Sequence, residues 1–163
     1  MNDLKLFTDG SVNTKTKIGY GAYLFITEQS FSIDSLNTQV KVKRFEETSS
    51  TKLELQTLLW ALSDTKFNES KITIYTDSQN IISLIERRER LEESRYSSKK
   101  NVLIKNHQLY KEFYKIIDEI NCELIKVSGH KKSNQKDEID QLFTLVDRAS
   151  RSALRKDKTM ENK

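Results

Sequence analysis

The start of the chain carries short β-prone bursts, and the remainder mostly carries apolar residues at helical spacing. Leu4-Lys5-Leu6-Phe7-Thr8 is an apolar run stopped by Asp9-Gly10, which predicts a strand with a carboxylate at its end and a turn freed by Gly10. Residues 19–26, Gly-Tyr-Gly-Ala-Tyr-Leu-Phe-Ile, read as a second strand. Residues 38–45, where Val40 and Val42 alternate with Lys41 and Lys43, read as a third, so an antiparallel meander is expected. Ser49-Ser50-Thr51 then supplies capping chemistry for a helix whose Leu55, Leu58, Leu59 and Leu62 form one buried face, with Glu54 beside that face in the first turn.

Residues 71–76 make another strand, ending at Asp77, and Ser78 is positioned to cap a helical segment carrying Ile81, Ile82, Leu84 and Ile85. From 87 to 100 the chain is highly charged and loses its apolar stripe, predicting a helical protrusion or a long loop. The helical pattern resumes with Leu103, Leu109, Phe113, Ile116 and Ile117. Residues 122–127 form a last strand, 128–135 a polar loop, and 136–154 a long helix carrying Leu142, Val146, Ala149 and Ala153. The order β-β-β-α-β-α-α-β-α implies an α/β fold, a mixed sheet packed by helices. Ligands of such sheets sit beyond the carboxyl ends of strands, where Asp9 and Asp77 fall.

A chain of 163 residues fits one domain, with no repeat or linker to divide it; residues 1–155 are expected to be folded and 156–163 a disordered tail. With the first strand starting so early, no separate domain is expected ahead of it. Cys122 is the only cysteine, so no internal disulfide forms, and no apolar run is long enough for a membrane span or a secretory signal; a cytoplasmic protein is expected. The net charge of +4 agrees with a polyanionic partner but does not specify one.

The chemistry lies in carboxylates. Asp9, Glu54, Asp77 and Asp147 are scattered along the sequence and positioned to converge in a fold. Taken singly each has an ordinary reading: Asp9 as a turn residue, Glu54 as an exposed helix charge, Asp77-Ser78 as a cap. Together, hard oxygen ligands without histidine or cysteine clusters suit Mg²⁺ or Mn²⁺ and argue against zinc. Two such ions are suited to an in-line phosphoryl displacement.

Phe7-Thr8-Asp9-Gly10-Ser11, Gly19-Tyr20-Gly21-Ala22, Thr51-Lys52-Leu53-Glu54-Leu55, Thr76-Asp77-Ser78-Gln79 and Ser128-Gly129-His130 resemble, in order, the signatures of the type 1 ribonuclease H family. The resemblance runs from about Leu4 to Arg155. It implies an RNase H-like fold, a mixed five-stranded sheet with the first three strands antiparallel and helices on both faces. It also implies cleavage of the RNA strand of RNA–DNA hybrids by two Mg²⁺ ions, leaving 5′-phosphate and 3′-hydroxyl ends. Asp9, Glu54 and Asp77 match the first three metal-binding acids, and His130 matches a loop histidine that assists proton transfer or product departure. Ser11, Ser50, Thr51 and Gln79 are the implied substrate contacts. Ser50-Thr51 stands where the family carries an asparagine pair; hydroxyls also bond a ribose 2′-OH, the group that marks RNA.

The fourth acid has two candidates. Spacing from His130 favours Asp140, whereas the local pattern Asp147-Arg148-Ala149-Ser150-Arg151 favours Asp147. Seven positions apart, they sit about 10 Å from each other on nearly one helix face, so one alone can reach the metals. The local pattern is preferred here, giving Asp147. Arg87, Arg88, Arg90, Arg95, Lys99, Lys100 and Lys105 stand where some members carry a hybrid-gripping protrusion, but interleaved glutamates equally describe a solvated helix. Other readings are a catalytically silent RNase H-like module that binds nucleic acid and a same-fold nuclease for another duplex. A monomer is expected.

Overall fold

The computed structural model describes residues 4–27, 33–65, 70–128 and 137–157. Its strands are β1 (Leu4–Asn13), β2 (Ile18–Ile26), β3 (Lys41–Phe45), β4 (Ile72–Thr76) and β5 (Cys122–Lys126). Its helices are α1 (Ile33–Asn37), α2 (Ser50–Asp64), α3 (Gln79–Glu93), α4 (His107–Glu119) and α5 (Glu138–Arg155). The five strands lie in the order β3-β2-β1-β4-β5. The β1–β2 and β2–β3 pairs are antiparallel, and the β1–β4 and β4–β5 pairs are parallel. This is the mixed sheet expected from the sequence.

Alternation along the strands feeds two cores. Leu4, Leu6, Tyr23, Ile72 and Ile74 pack with the leucines of α2 and with residues of α3 and α4. Phe7, Ala22, Leu24 and Tyr75 face the other way, against Leu142, Phe143 and Val146 of α5 and Leu36 of α1. Burial on both sides of the sheet is what makes its central strands so apolar.

β1 does not stop at Asp9. Asp9 pairs with Ala22 and Gly10 with Gly21, so both lie inside the hairpin ladder. No described glycine has a positive φ, and Gly10 therefore makes no turn. The turn is built further on by Asn13, whose side chain accepts from the Lys15 and Thr16 N–H groups at 2.9 and 3.2 Å. Gly10 serves instead to admit α2, because a Cβ there would lie 2.9 Å from Leu53 Cδ2. Gly21 does the same one strand over, where a Cβ would sit 2.9 Å from Thr57 Cβ. Close helix approach across these two glycines brings the first turn of α2 down to the sheet.

β3 begins at Lys41 rather than at Thr38. Thr38 and Gln39 close α1 instead, the Thr38 hydroxyl donating to Ser35 O at 2.8 Å and the Gln39 N–H to Leu36 O at 2.9 Å. The charged 87–100 stretch divides in two. Its first part completes α3, with Leu91 buried, and its second part is a turn-rich link in which Arg95 and Tyr96 have positive φ. α4 starts at His107, leaving Val102 and Leu103 exposed. Arg88 donates to both carboxylate oxygens of Asp118 at 2.6 and 2.7 Å and lies over the Tyr114 ring. Arg87 donates to Asn80 Oδ1 at 2.7 Å. Arg88 thus joins α3 to α4, and Arg87 braces the first turn of α3.

Beyond Arg155, the backbone N–H groups of Lys156 and Asp157 bond to Ser152 O and Leu154 O. The Asp157 side chain is 3% exposed and accepts from Arg44 Nε at 2.8 Å. The Tyr20 hydroxyl donates to the same oxygen at 2.7 Å. One carboxylate therefore fastens the end of α5 to β2 and β3.

Candidate active site

Register brings the first two acids together. Phe7 of β1 pairs with Tyr75 of β4, and their rings stack with centroids 4.8 Å apart. Two residues on from each stand Asp9 and Asp77, which line one cavity and are close enough for the Asp77 charge to act on Asp9. Asp77 follows the last residue of β4, and Ser78 caps α3 by accepting from the Ile81 N–H at 3.2 Å.

Glu54 arrives from the opposite face of the sheet on α2. Ser49 caps that helix, accepting from the Lys52 N–H at 3.3 Å. The Ser78 hydroxyl donates to Glu54 Oε2 at 2.5 Å, tying α2 to the start of α3. Burial raises the Glu54 pKa, the Ser78 bond lowers it, and the Asp77 charge raises it.

Asp147 comes from α5 one residue after fully buried Val146, which packs in the same core as Phe7. Asp9 is pushed up to about 8, first by burial, then by the charge of Asp77 and a hydrogen bond with Asp147, while the Gly10 N–H pulls it back. The four acids thus form a row, Glu54–Asp77–Asp9–Asp147, in which each is felt by the next. Asp140 has another occupation. It is the third helical residue of a capping box, its N–H donating to Asp137 Oδ1 at 2.8 Å and its Oδ2 accepting from the Asp137 N–H at 3.2 Å.

A cavity of about 500 Å³ opens at the row, lined by Asp9, Asp77 and Asp147 together with Ser11, Ser50, Arg151 and Arg155. Arg151 Nε bonds Asp147 Oδ1 at 3.0 Å. Thr51 is exposed in the first turn of α2 and does not line the cavity. Gln79 opens α3, and its Oε1 accepts from Lys126 Nζ at 2.8 Å. His130 lies outside the described residues. Arg151 and Arg155 are not among the site residues expected from the sequence, yet they follow Asp147 at steps of four, the spacing that aligns residues on one helix face.

The donor set fits a hard divalent cation: all oxygen, crowded, and with Asp9 disfavoured as a bare anion. Among the described residues no three acids, histidines or cysteines close around an ion by themselves. Glu54 is held to Ser78 and Asp147 to Arg151, so the acids form an open row that leaves room for water and phosphate oxygens.

Sheet order, helices on both faces and a row of carboxylates just beyond the last parallel β1–β4 pair define an RNase H-like nuclease. The RNase H family model matches residues 1–147, so the chain belongs to the RNase H family and is a ribonuclease H, a nuclease acting on RNA–DNA hybrids. That family uses divalent metal ions. No curated protein sequence matches the chain. Among solved structures it is similar to a foamy viral protease-reverse transcriptase in complex with dsDNA, with a TM-score of 0.61 and 9% identity over 93% of this chain and 94% of that one. At that identity the likeness is one of fold. No described helix is long and apolar enough to cross a membrane.

Proposed function

We propose that this ribonuclease H is a Mg²⁺-dependent endonuclease that hydrolyses the RNA strand of hybrids and leaves 5′-phosphate and 3′-hydroxyl ends. The observation that carries the reading is the acid row in which Asp9 is crowded by both Asp77 and Asp147. Asp9, Glu54, Asp77 and Asp147 would hold the ions, with Asp9, which feels both Asp77 and Asp147, at the centre of the set. Two Mg²⁺ ions, with Mn²⁺ as a substitute, would supply activation of the attacking water and neutralisation of the leaving oxygen. Asp140 stays with the helix cap.

The remaining roles belong to side chains that hold the substrate. Ser11 and Ser50, which share the cavity with Asp9, and Thr51 beside them bond the sugar-phosphate backbone, with the ribose 2′-OH as the RNA-specific partner. Gln79 reads the minor groove; with its Oε1 tied to Lys126, its NH₂ group is left for acceptors on base edges. His130 assists proton transfer or product departure. The protein acts as a cytoplasmic monomer with a single catalytic domain.

The test uses end-labelled RNA–DNA hybrid, RNA duplex and DNA duplex, each with Mg²⁺, Mn²⁺ or EDTA. Cleavage of the hybrid RNA strand alone, abolished by EDTA and restored by either metal, is expected. Tight hybrid binding without cleavage would show a silent module, and equal cleavage of all duplexes would sink the substrate assignment.

A further inference from the structure

β3 closes one side of the sheet, and among the described residues no strand pairs with its outer edge. Its register against β2 sets Lys41 opposite Tyr23, Val42 opposite Ala22 and Lys43 opposite Gly21. Tyr23 packs in the core under α2 and Ala22 in the core under α5, so alternation turns Lys41 and Lys43 to the α2 face and Val42 to the α5 face. All three are exposed, Val42 at 41%. Aromatic rings hold both ammonium groups in place. Lys43 Nζ stands 5.4 Å from the Phe45 ring centroid and 5.8 Å from that of Trp60, and Lys41 Nζ 5.8 Å from that of Tyr23. Lys41 also has a carboxylate in Asp64, at 3.3 Å, whereas among the described residues none is paired with Lys43.

We propose that β3 is a docking edge for a segment of a partner protein that adds as a further strand, with acidic residues alternating with apolar ones. Carboxylates of such a strand stand across from Lys41 and Lys43 on the α2 face, and an apolar side chain lies beside Val42 on the α5 face. Main-chain hydrogen bonds along the edge supply affinity, and the alternating side chains supply specificity. A second copy of this chain fits poorly. Antiparallel pairing of β3 with itself about Val42 sets Lys41 against Lys43 twice, and pairing about Lys43 sets that residue against itself. Arg44, the other cation of the strand, is already bonded to Asp157 and Glu46. Recognition therefore falls to the two lysines. Because β2 separates this edge from β1 and its Asp9, a docked segment is compatible with cleavage and serves to bring the nuclease to its partner.

The test uses the whole chain and a short fluorescein-labelled peptide alternating glutamate with valine, beside a scrambled peptide of the same composition and a peptide alternating lysine with valine. Binding is read by anisotropy and the β3 amides by hydrogen exchange. The acidic alternating peptide is expected to bind and to slow exchange along β3, and the other two to do neither. Lys43→Glu is expected to weaken the acidic peptide about 3–30-fold and to bind the lysine peptide instead, a gain that a misfolded variant would not show. Its cleavage of the hybrid should match the wild type. No binding of the acidic peptide, binding indifferent to scrambling, or unchanged β3 exchange overturns the strand addition. Weaker hybrid binding by Lys43→Glu, without any change of peptide preference, would make these lysines a nucleic-acid contact and overturn it as well.

Discussion

The Ser78 hydroxyl donates to Glu54 Oε2 at 2.5 Å while accepting from the Ile81 N–H at 3.2 Å. A single side chain therefore caps α3 and orients a carboxylate that arrives on α2. Ser78→Ala is expected to lose about 1 kcal/mol of stability from the cap and to weaken metal binding about 10–100-fold, as loss of a ligand's supporting bond does. Ser78→Thr should preserve both. Urea melts and a Mg²⁺ titration of cleavage separate the two effects, and unchanged metal dependence in Ser78→Ala would show that Glu54 needs no such support.

Asp147 and Asp140 sit on one helix but in different surroundings, the first beside Asp9 and the second in the capping box. Asp147→Asn is expected to abolish Mg²⁺-dependent cleavage in a folded protein. Asp140→Asn should keep cleavage and cost only about 0.3–1 kcal/mol, because the amide oxygen still accepts from the Asp137 N–H and only the charge at the helix N-terminus is lost. Reversed outcomes in paired cleavage and unfolding assays would transfer the fourth ligand to Asp140.

Asp9 carries a pH signature in metal-free protein. Its folded pKa of about 8 lies above the ordinary 3.8, so below about pH 4 the carboxyl is protonated in folded and unfolded chains alike. Between those values the folded chain holds the proton and the unfolded chain does not, and the stability contributed by this group falls as pH rises. In EDTA, Tm should drop more steeply from pH 4 to 8 for the wild type than for Asp9→Asn. Adding Mg²⁺ at pH 8 should raise the wild-type Tm and leave that of Asp9→Asn almost unmoved. Parallel pH profiles for the two proteins would contradict this.

Gly10 faces Leu53 so closely that an added Cβ would lie 2.9 Å from its Cδ2. Gly10→Ala should cost about 1–3 kcal/mol through overpacking and lower cleavage by moving α2, and Glu54 with it, away from the sheet. Leu53→Ala in the same chain should recover part of the activity. A fully active, fully stable Gly10→Ala would show that the approach of α2 is not set there.

Much of the fold is legible along the chain because local and tertiary preferences agree. The leucine period of α2 predicts the face it buries, and the runs at Leu4 and Ile72 predict the paired strands that carry Asp9 and lead into Asp77. The sequence misleads where pairing overrides propensity: Asp9-Gly10 looks like a turn, but the β2 ladder keeps it extended. The charged end of α3 hides its purpose because Arg88 works through Asp118 and Tyr114 on α4, partners that the charge pattern of α3 alone does not reveal. Arg151 and Arg155 repeat at steps of four after Asp147, but that spacing alone does not reveal that their helix face lines the cavity with Asp9 and Ser11.

β1 is bonded on both edges, to β2 and β4, and its consecutive residues Leu6 and Phe7, both fully buried, belong to opposite cores. Its amides are therefore those expected to exchange with solvent last, by global opening alone. The acid at the centre of the row sits on the element that lets go last, so on heating Asp9 should hold its place until the whole domain melts.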